Sequence, residues 1–191
     1  MTKRELRVMY REKRRSLQPG EKDKLEDLML IRFQEAGWQV PDTVMTYIPF
    51  SQENEYDPEL VIRYCRFQHP GLRLCCPLLL NQGNRMDAVS WDEDTVFARN
   101  SFGIPEPVNG ERVDGGEIGM VLVPLLAYDL HGYRVGFGKG YYDRFLAEQC
   151  PQATRIGFSF FEPVDSVDDV ESYDMPLDFC VTPVKLYSFN H

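Results

Sequence analysis

The sequence of 191 residues lacks the cysteine patterns that staple small secreted proteins or bind zinc. It has five cysteines, an odd number, and no two of them form a Cys-x-x-Cys pair. Neither a disulfide framework nor a thiolate zinc site is therefore indicated. We interpret the five thiols as reduced side chains that pack like small hydrophobic residues.

Long apolar segments are also absent. No apolar run approaches the roughly 20 residues that span a bilayer, and the amino terminus lacks the apolar stretch of a secretory signal. We therefore expect a cytoplasmic protein without a membrane partner. Hydrophobic residues make up 43% of the chain and charged residues 27%, which is typical of a globular domain with a substantial core.

Acidic side chains outnumber basic ones, and the two kinds are unevenly distributed. The net charge is −9, but residues 1–24 contain nine Lys and Arg against four Asp and Glu, so this segment is +5 and the remainder −14. An acidic body argues against a nucleic-acid partner, whereas a basic amino-terminal segment indicates a local anion site. The alternatives are a solvated helix face and a nucleic-acid contact made by the first helix.

Helix and strand patterns alternate along the chain. Residues 2–16 and about 21–36 predict two helices, with Pro19-Gly20 ending the first and Gly37 the second. The patterns predict further helices at 57–68 and 141–149, a loop at 99–117, and strands at 44–48, 72–76, 88–91, 120–126, 155–161 and 179–182. The nearly continuous apolar run at 120–126 is typical of a strand buried on both faces. Together these patterns predict an α/β domain with a mixed or largely parallel sheet.

The segment most informative about chemistry is residues 129–144, Asp-Leu-His-Gly-Tyr-Arg-Val-Gly-Phe-Gly-Lys-Gly-Tyr-Tyr-Asp-Arg. It follows the most apolar strand, and ligands of open α/β sheets bind beyond the carboxyl ends of strands. The glycines allow backbone amides close to a ligand, and Arg134 and Lys139 add positive charge. The segment is neither a Walker A loop nor Gly-x-Gly-x-x-Gly, but it indicates a phosphate-binding loop. A tight strand-to-helix connection without a ligand is the alternative.

Taken whole, this string resembles the signature of the 5-formyltetrahydrofolate cyclo-ligase (methenyltetrahydrofolate synthetase) family, roughly D-x-x-G-x-R-L-G-x-G-x-G-Y-Y-D-R. Ten positions match, and Val135 replaces the usual Leu. The resemblance continues at Lys3-Arg4-Glu5-Leu6-Arg7, which is similar to a K-x-x-L-R helix, and at residues 103–107, which are similar to G-I-x-E-P.

Two further family motifs are present with departures. Glu55-Tyr56-Asp57-Pro58 resembles E-x-[DE]-T, with Pro58 in place of Thr. Tyr173-Asp174 resembles H-D, with Tyr173 in place of His. The departure at Pro58 bears on the local loop geometry.

The resemblance implies a fold and an activity. The fold would be a single three-layer α/β domain over residues 1–191, with a mixed, largely parallel sheet and a helical segment at 1–36 packed on it. The activity would be the ATP- and Mg²⁺-dependent conversion of 5-formyltetrahydrofolate, with or without a polyglutamate tail, to 5,10-methenyltetrahydrofolate. ADP and phosphate would be released after phosphorylation of the formyl oxygen. Rival functions are a non-enzymatic folate or nucleotide sensor and a different ATP-dependent ligase.

The resemblance also implies roles for particular residues. Arg134 and Lys139 would act in catalysis, and Asp143 and Asp174 would bind the metal. Folate would contact Glu55, Met86, Tyr141 and Tyr142. ATP would contact Lys3, Arg7, Arg134, Gly136, Phe137, Gly138, Lys139, Gly140, Tyr141, Tyr142 and Asp143.

Several of these side chains have simpler interpretations. Met86 and Tyr141 are of residue types common in cores, and Asp143 suits the first turn of a helix. We interpret Arg11 and Arg14 as a solvated helix face, and His131 as exposed in a turn.

Overall fold

The computed structural model describes residues 1–80, 83–100, 103 and 105–190. Within these ranges there are four α-helices: α1 (Lys3–Arg15), α2 (Pro19–Glu35), α3 (Glu59–Gln68) and α4 (Tyr141–Glu148). The strands are β1 (Thr43–Met45), β2 (Arg73–Leu79), β3 (Met86–Ser90), β4 (Phe97–Arg99), β5 (Pro105–Pro107), β6 (Arg112–Val113), β7 (Met120–Val123), β8 (Ala127–Tyr128), β9 (Arg134–Val135), β10 (Thr154–Phe158), β11 (Phe179–Val181) and β12 (Leu186–Ser188). None of the helices in these ranges has the length and apolar character needed to cross a bilayer.

The main sheet has eight strands in the order β12-β11-β10-β7-β1-β2-β3-β6. The five central strands, β11 to β2 in this order, pair in parallel. The outer pairings, β11 with β12, β2 with β3 and β3 with β6, are antiparallel. The predicted α/β class with a mixed, largely parallel sheet is confirmed.

Helices cover both faces of the sheet. Successive residues of a strand point to opposite faces, so Val44 packs with Phe33 of α2 and Val61 of α3, whereas Met45 packs with Phe145 of α4. Each of these side chains is at most 1% exposed, and burying one of them fully stabilises the fold by about 1.5–3 kcal/mol. The result is a three-layer arrangement in which α2 forms part of one outer layer.

Helix α1 lies apart from these layers. Its Leu6 and Tyr10 pack on Leu126, Ala127 and Val135, which lie in the segment that leads to the glycine-rich loop. A Thr2–Glu5 capping box fixes its first turn. This packing holds the basic face of α1 beside the loop.

Three of the differences from the predicted elements involve proline. Pro19 begins α2 instead of ending α1, because the first helical position needs no N–H donor. Strand β7 stops at Val123, before Pro124. The predicted loop at 99–117 contains β5 and β6, and β5 pairs with β4 despite its two prolines because it belongs to a two-stranded edge ribbon.

All five cysteines are buried free thiols, as interpreted from the sequence. Burial raises the pKa of Cys65 to about 11, and those of Cys75, Cys76 and Cys150 to about 12. It raises the pKa of Cys180 as well. The thiols are therefore protonated at neutral pH and are shielded from reagents.

We expect the native protein to resist alkylation by iodoacetamide at pH 8. A thiol with a pKa of 11 is about 0.1% thiolate at this pH, against about a quarter for a free cysteine. Mass spectrometry should detect five modified cysteines only after unfolding in urea. Rapid modification of any thiol in the folded protein would contradict the buried arrangement.

Candidate functional site

A cavity of about 760 Å³ opens at the carboxyl ends of the central parallel strands. Tyr47 follows β1, Pro124 follows β7, and Leu79 ends β2 on its wall. In the sheet, β1 has its successor β2 on one side and the much later strand β7 on the other. Ligands of open α/β sheets bind at such a reversal of strand order, and the volume suits a ligand of moderate size.

The glycine-rich loop forms one wall of this cavity. Gly138 has φ +90° and Gly140, the residue that precedes α4, has φ +69°. A Cβ on Gly138 would lie 3.0 Å from Cζ of Arg7, whose Nε donates a 2.8 Å hydrogen bond to the carbonyl of Gly136. The loop thus needs glycine at 138 in order to pack on α1, and it places the amino terminus of α4 at the cavity.

Two carboxylates on the cavity wall are partly paired. One oxygen of Asp143 accepts hydrogen bonds from Arg134 Nη2 at 2.9 Å and from the Met175 N–H at 3.0 Å. One oxygen of Asp174 accepts from Lys3 Nζ and from the Glu171 N–H. In the described part of the chain, the second oxygen of each carboxylate has no hydrogen-bond partner.

The two predicted catalytic cations have different surroundings. Arg134 has a side chain that is 6% exposed and is fixed by Asp143 and by the carbonyl of Met175. Lys139 is exposed at the cavity, and over the described ranges its ammonium forms no ion pair or hydrogen bond. Arg134 is therefore held in place, whereas Lys139 is free to bind an anion.

Glu55 provides a buried hydrogen-bond acceptor in the cavity lining. It is 4% exposed, and its Oε2 accepts a 2.8 Å hydrogen bond from the N–H of Phe50. Its Oε1 has no hydrogen-bond partner among the described residues, nor has the buried hydroxyl of Tyr142. Desolvation raises the pKa of Glu55, and burial followed by the charge of Glu55 raises the pKa of Tyr142.

Most residues of the predicted site come together in the cavity, but Met86 does not. The cavity wall includes Lys3, Arg7, Glu55, Arg134, Gly136, Phe137, Gly138, Lys139, Gly140, Tyr141, Tyr142, Asp143 and Asp174. Met86 is 1% exposed and packs in the sheet core with Met45 and Cys75. Its simpler interpretation as a core residue matches this position. His131 is exposed, as expected, and Ile104 of the G-I-x-E-P segment lies outside the described residues.

The interpretation of Arg11 and Arg14 as a solvated face is wrong. Arg14 is 3% exposed, and Arg11 lines the cavity. Both guanidinium groups lie over the ring of Phe137, at 5.5 Å for Arg11 and 5.9 Å for Arg14. The helical spacing could have predicted this position, because Arg11 and Arg14 follow Arg7 at steps of four and three and so share its face.

Fold and site together define an α/β protein with a glycine-rich, cationic loop at the carboxyl edge of its parallel strands. The chain matches the sequence model of the 5-formyltetrahydrofolate cyclo-ligase family over residues 1–183. It belongs to that family, and it is therefore an enzyme of the ligase class. The resemblance predicted from the sequence is confirmed.

Relatives support this assignment over nearly the whole chain. A 5-formyltetrahydrofolate cyclo-ligase of Escherichia coli K12 is 27% identical, over 95% of this chain and 100% of its own. The enzyme of that name from Mus musculus is 28% identical, over 92% and 91%.

Solved structures agree with the fold. The 5,10-methenyltetrahydrofolate synthetase of Aquifex aeolicus has a TM-score of 0.79 and 28% identity, over 100% of this chain and 94% of its own. The enzyme of that name from Mycoplasma pneumoniae has a TM-score of 0.76 and 22% identity, over 96% and 99%. The family activity is the ATP-dependent conversion of 5-formyltetrahydrofolate to 5,10-methenyltetrahydrofolate.

Proposed function

We propose that this enzyme activates 5-formyltetrahydrofolate by phosphorylating its formyl oxygen and then closes the ring to 5,10-methenyltetrahydrofolate. The formyl oxygen attacks the γ-phosphorus of ATP, and the bond to ADP breaks. N10 then attacks the activated carbon and loses its proton, and phosphate departs with the former formyl oxygen. The observation that carries the proposal is a single cavity that unites a cationic glycine loop with a buried, unsatisfied carboxylate.

The nucleotide would bind on the glycine-loop side of the cavity. Phosphoryl transfer requires positioning and neutralisation of charge more than covalent chemistry from the protein. Lys3, Arg7 and Arg134 are cations fixed by protein contacts, and Lys139 is free to follow the transferred group. The amides of residues 136–140 and the amino terminus of α4 add donors for phosphate oxygens.

The folate would bind on the Glu55 side of the cavity. The free Oε1 of Glu55 suits the N–H donors of a pterin, because a buried acceptor without a partner is costly until a ligand supplies one. The hydroxyl of Tyr142 offers a second polar contact. Tyr141, half-buried on the cavity wall, provides a ring for stacking.

Asp143 and Asp174 fit a magnesium ion by their chemistry. Each is a hard oxygen donor on the cavity wall, and each has one carboxylate oxygen free of contacts in the described ranges. Mg²⁺ needs only one or two carboxylates beside water and phosphate oxygens, so the lack of any cluster of three acidic, His or Cys ligands among the described residues is compatible with it. When bound, it would neutralise charge on the phosphate oxygens.

The −14 charge of the chain beyond residue 24 disfavours nucleic acid. We propose a cytoplasmic enzyme whose partner is its folate substrate, in monoglutamate or polyglutamylated form.

The proposal predicts formation of the methenyl chromophore from 5-formyltetrahydrofolate only when ATP and Mg²⁺ are both present. We expect Asp143→Ala to lower the rate by at least about 10- to 100-fold, as loss of a metal-site partner commonly does. The measurement is absorbance of the methenyl product across a Mg²⁺ titration. Asp165→Ala, which changes an exposed carboxylate away from the cavity, is the matched control and should leave the rate unchanged.

Two outcomes would contradict the proposal at different levels. If well-folded wild-type protein formed no methenyl product, the proposed reaction would be wrong. If Asp143→Ala retained full activity and the same Mg²⁺ dependence, the reaction would stand but Asp143 would not be a ligand.

A further inference from the structure

We propose that Arg14 is a positioning residue for folate recognition. It would hold the buried carboxylate of Glu55 in place through the ion pair between the two side chains. This inference rests on the proposed function, because Glu55 is the folate acceptor there. Arg14 itself does not line the cavity. It would act through Glu55, without touching the substrate.

The guanidinium of Arg14 is fixed from three directions. Its Nε donates a 2.6 Å hydrogen bond to the carbonyl of Glu53, and its Nη1 donates a 3.2 Å hydrogen bond to the carbonyl of Leu125. It also lies 5.9 Å from the ring centroid of Phe137 in the glycine loop. Because a guanidinium is planar and rigid, these contacts determine where its charge lies.

That charge lies against Glu55. Nη1 of Arg14 is 4.0 Å from Oε1 of Glu55, and the two side chains are 4% and 5% exposed. Over the described ranges this is the one ion pair that Glu55 forms. A buried carboxylate that loses its countercharge is strongly destabilised, so Arg14 decides whether Glu55 remains a charged acceptor.

The remaining neighbours of Glu55 cannot take over this role. Glu53 carries a like charge, and Tyr47 and Tyr142 are neutral phenols whose pKa values are raised by burial. The Phe50 N–H donates to Oε2 but carries no net charge. Desolvation raises the pKa of Glu55, and the charge of Arg14 lowers it. Without Arg14 the pKa of Glu55 would therefore rise further.

The test compares Michaelis constants for the two substrates. We expect Arg14→Met to raise the KM for 5-formyltetrahydrofolate by about tenfold or more, within the range of coupling between residues in contact, and to change the KM for ATP little. Arg14→Lys keeps the charge but not the planar contacts, so its KM for the folate should lie between those of wild type and Arg14→Met. Arg4→Met is the matched control: this exposed arginine of the same helix lies outside the cavity lining, and its replacement should leave the KM for the folate unchanged.

A double-mutant cycle with Glu55→Gln separates positioning from a general structural effect. If Arg14 acts through Glu55, Arg14→Met should add little to the KM for the folate in the Glu55→Gln background. In the Arg14→Met single variant, the KM for the folate should fall as the pH rises from 6 to 9, because Glu55 loses its proton and becomes a carboxylate again. The additional change Glu55→Gln should abolish this pH dependence. A purely structural role would move neither quantity in this way.

The result that overturns the inference is an additive cycle, an unchanged KM for the folate, or equal rises in both Michaelis constants. If Arg14→Met does not fold, Arg14→Lys replaces it in the double-mutant cycle, and the result is judged by the same criteria. Absence of product from wild-type protein would instead refute the proposed function, so the two failures remain distinct.

Discussion

Replacement of Gly138 by alanine is expected to raise the KM for ATP by about 5- to 150-fold, the equivalent of about 1–3 kcal/mol of backbone strain. Gly138 has φ +90°, where residues with a Cβ are strained. The added Cβ would also lie 3.0 Å from Cζ and 3.2 Å from Nε of Arg7. A shift of Arg7 away from the added Cβ would perturb its hydrogen bond to Gly136, so strain at residue 138 and this contact both act on the shape of the loop. Steady-state kinetics would measure the KM, and isothermal titration with a non-hydrolysable ATP analogue would show the corresponding rise in Kd.

Gly136→Ala provides the matched control for this prediction. It lies in the same loop, but its φ is outside the left-handed region and a Cβ there would meet no atom within 4 Å. We expect a much smaller loss, and thermal unfolding of both variants would show whether either change destabilises the whole fold. Equal losses for the two variants would mean that the ligand, and not Arg7, meets the added methyl group.

Helix α1 links the two halves of the cavity. Lys3 contacts Asp174, Arg7 contacts the carbonyl of Gly136, and Arg14 lies against Glu55. These residues share one face and extend over about 16 Å of helix at 1.5 Å per residue. A change in the position of α1 would therefore affect the glycine-rich loop, Asp174 and Glu55 together.

Local pattern was sufficient to predict the parts of the fold that depend on local chemistry. The apolar run at 120–126 indicated a strand buried on both faces, and β7 is completely buried. The alternation of strands and helices indicated the α/β class. The glycines before residue 141 indicated a loop whose backbone needs that residue, and Gly138 and Gly140 do have positive φ. That this loop binds a ligand stays a prediction.

Tertiary context decided what local pattern could not. Arg14 is a charged residue on a helix, and such side chains are usually exposed to solvent. The packing of α1 on residues 126, 127 and 135 instead buries its side chain. Met86 matched a motif position, yet strand pairing of β3 with β2 places it in the core. Strands β4 and β5 are only three residues long, and they pair with each other.

Replacement of Lys139 by methionine is expected to lower kcat by about 10²- to 10³-fold, the usual effect of removing one donor to transition-state charge. The cavity contains several cations, but Lys3 and Arg134 are paired with Asp174 and Asp143. Lys139 is the loop cation without a protein partner in the described ranges, so its charge is available to the phosphoryl group during transfer. Single-turnover measurement of methenyl formation at saturating ATP would isolate this step.

Two variants bracket the interpretation of Lys139. Lys139→Arg keeps the charge in a different shape and should recover part of kcat, because the transferred group requires both charge and position. Lys185→Met removes an exposed lysine outside the cavity lining, where the ammonium lies 4.4 Å from the ring centroid of Tyr187, and should leave kcat unchanged. If Lys139→Met raised only the KM for ATP, the residue would bind the ground state and the transferred phosphoryl group would depend on Arg134 instead.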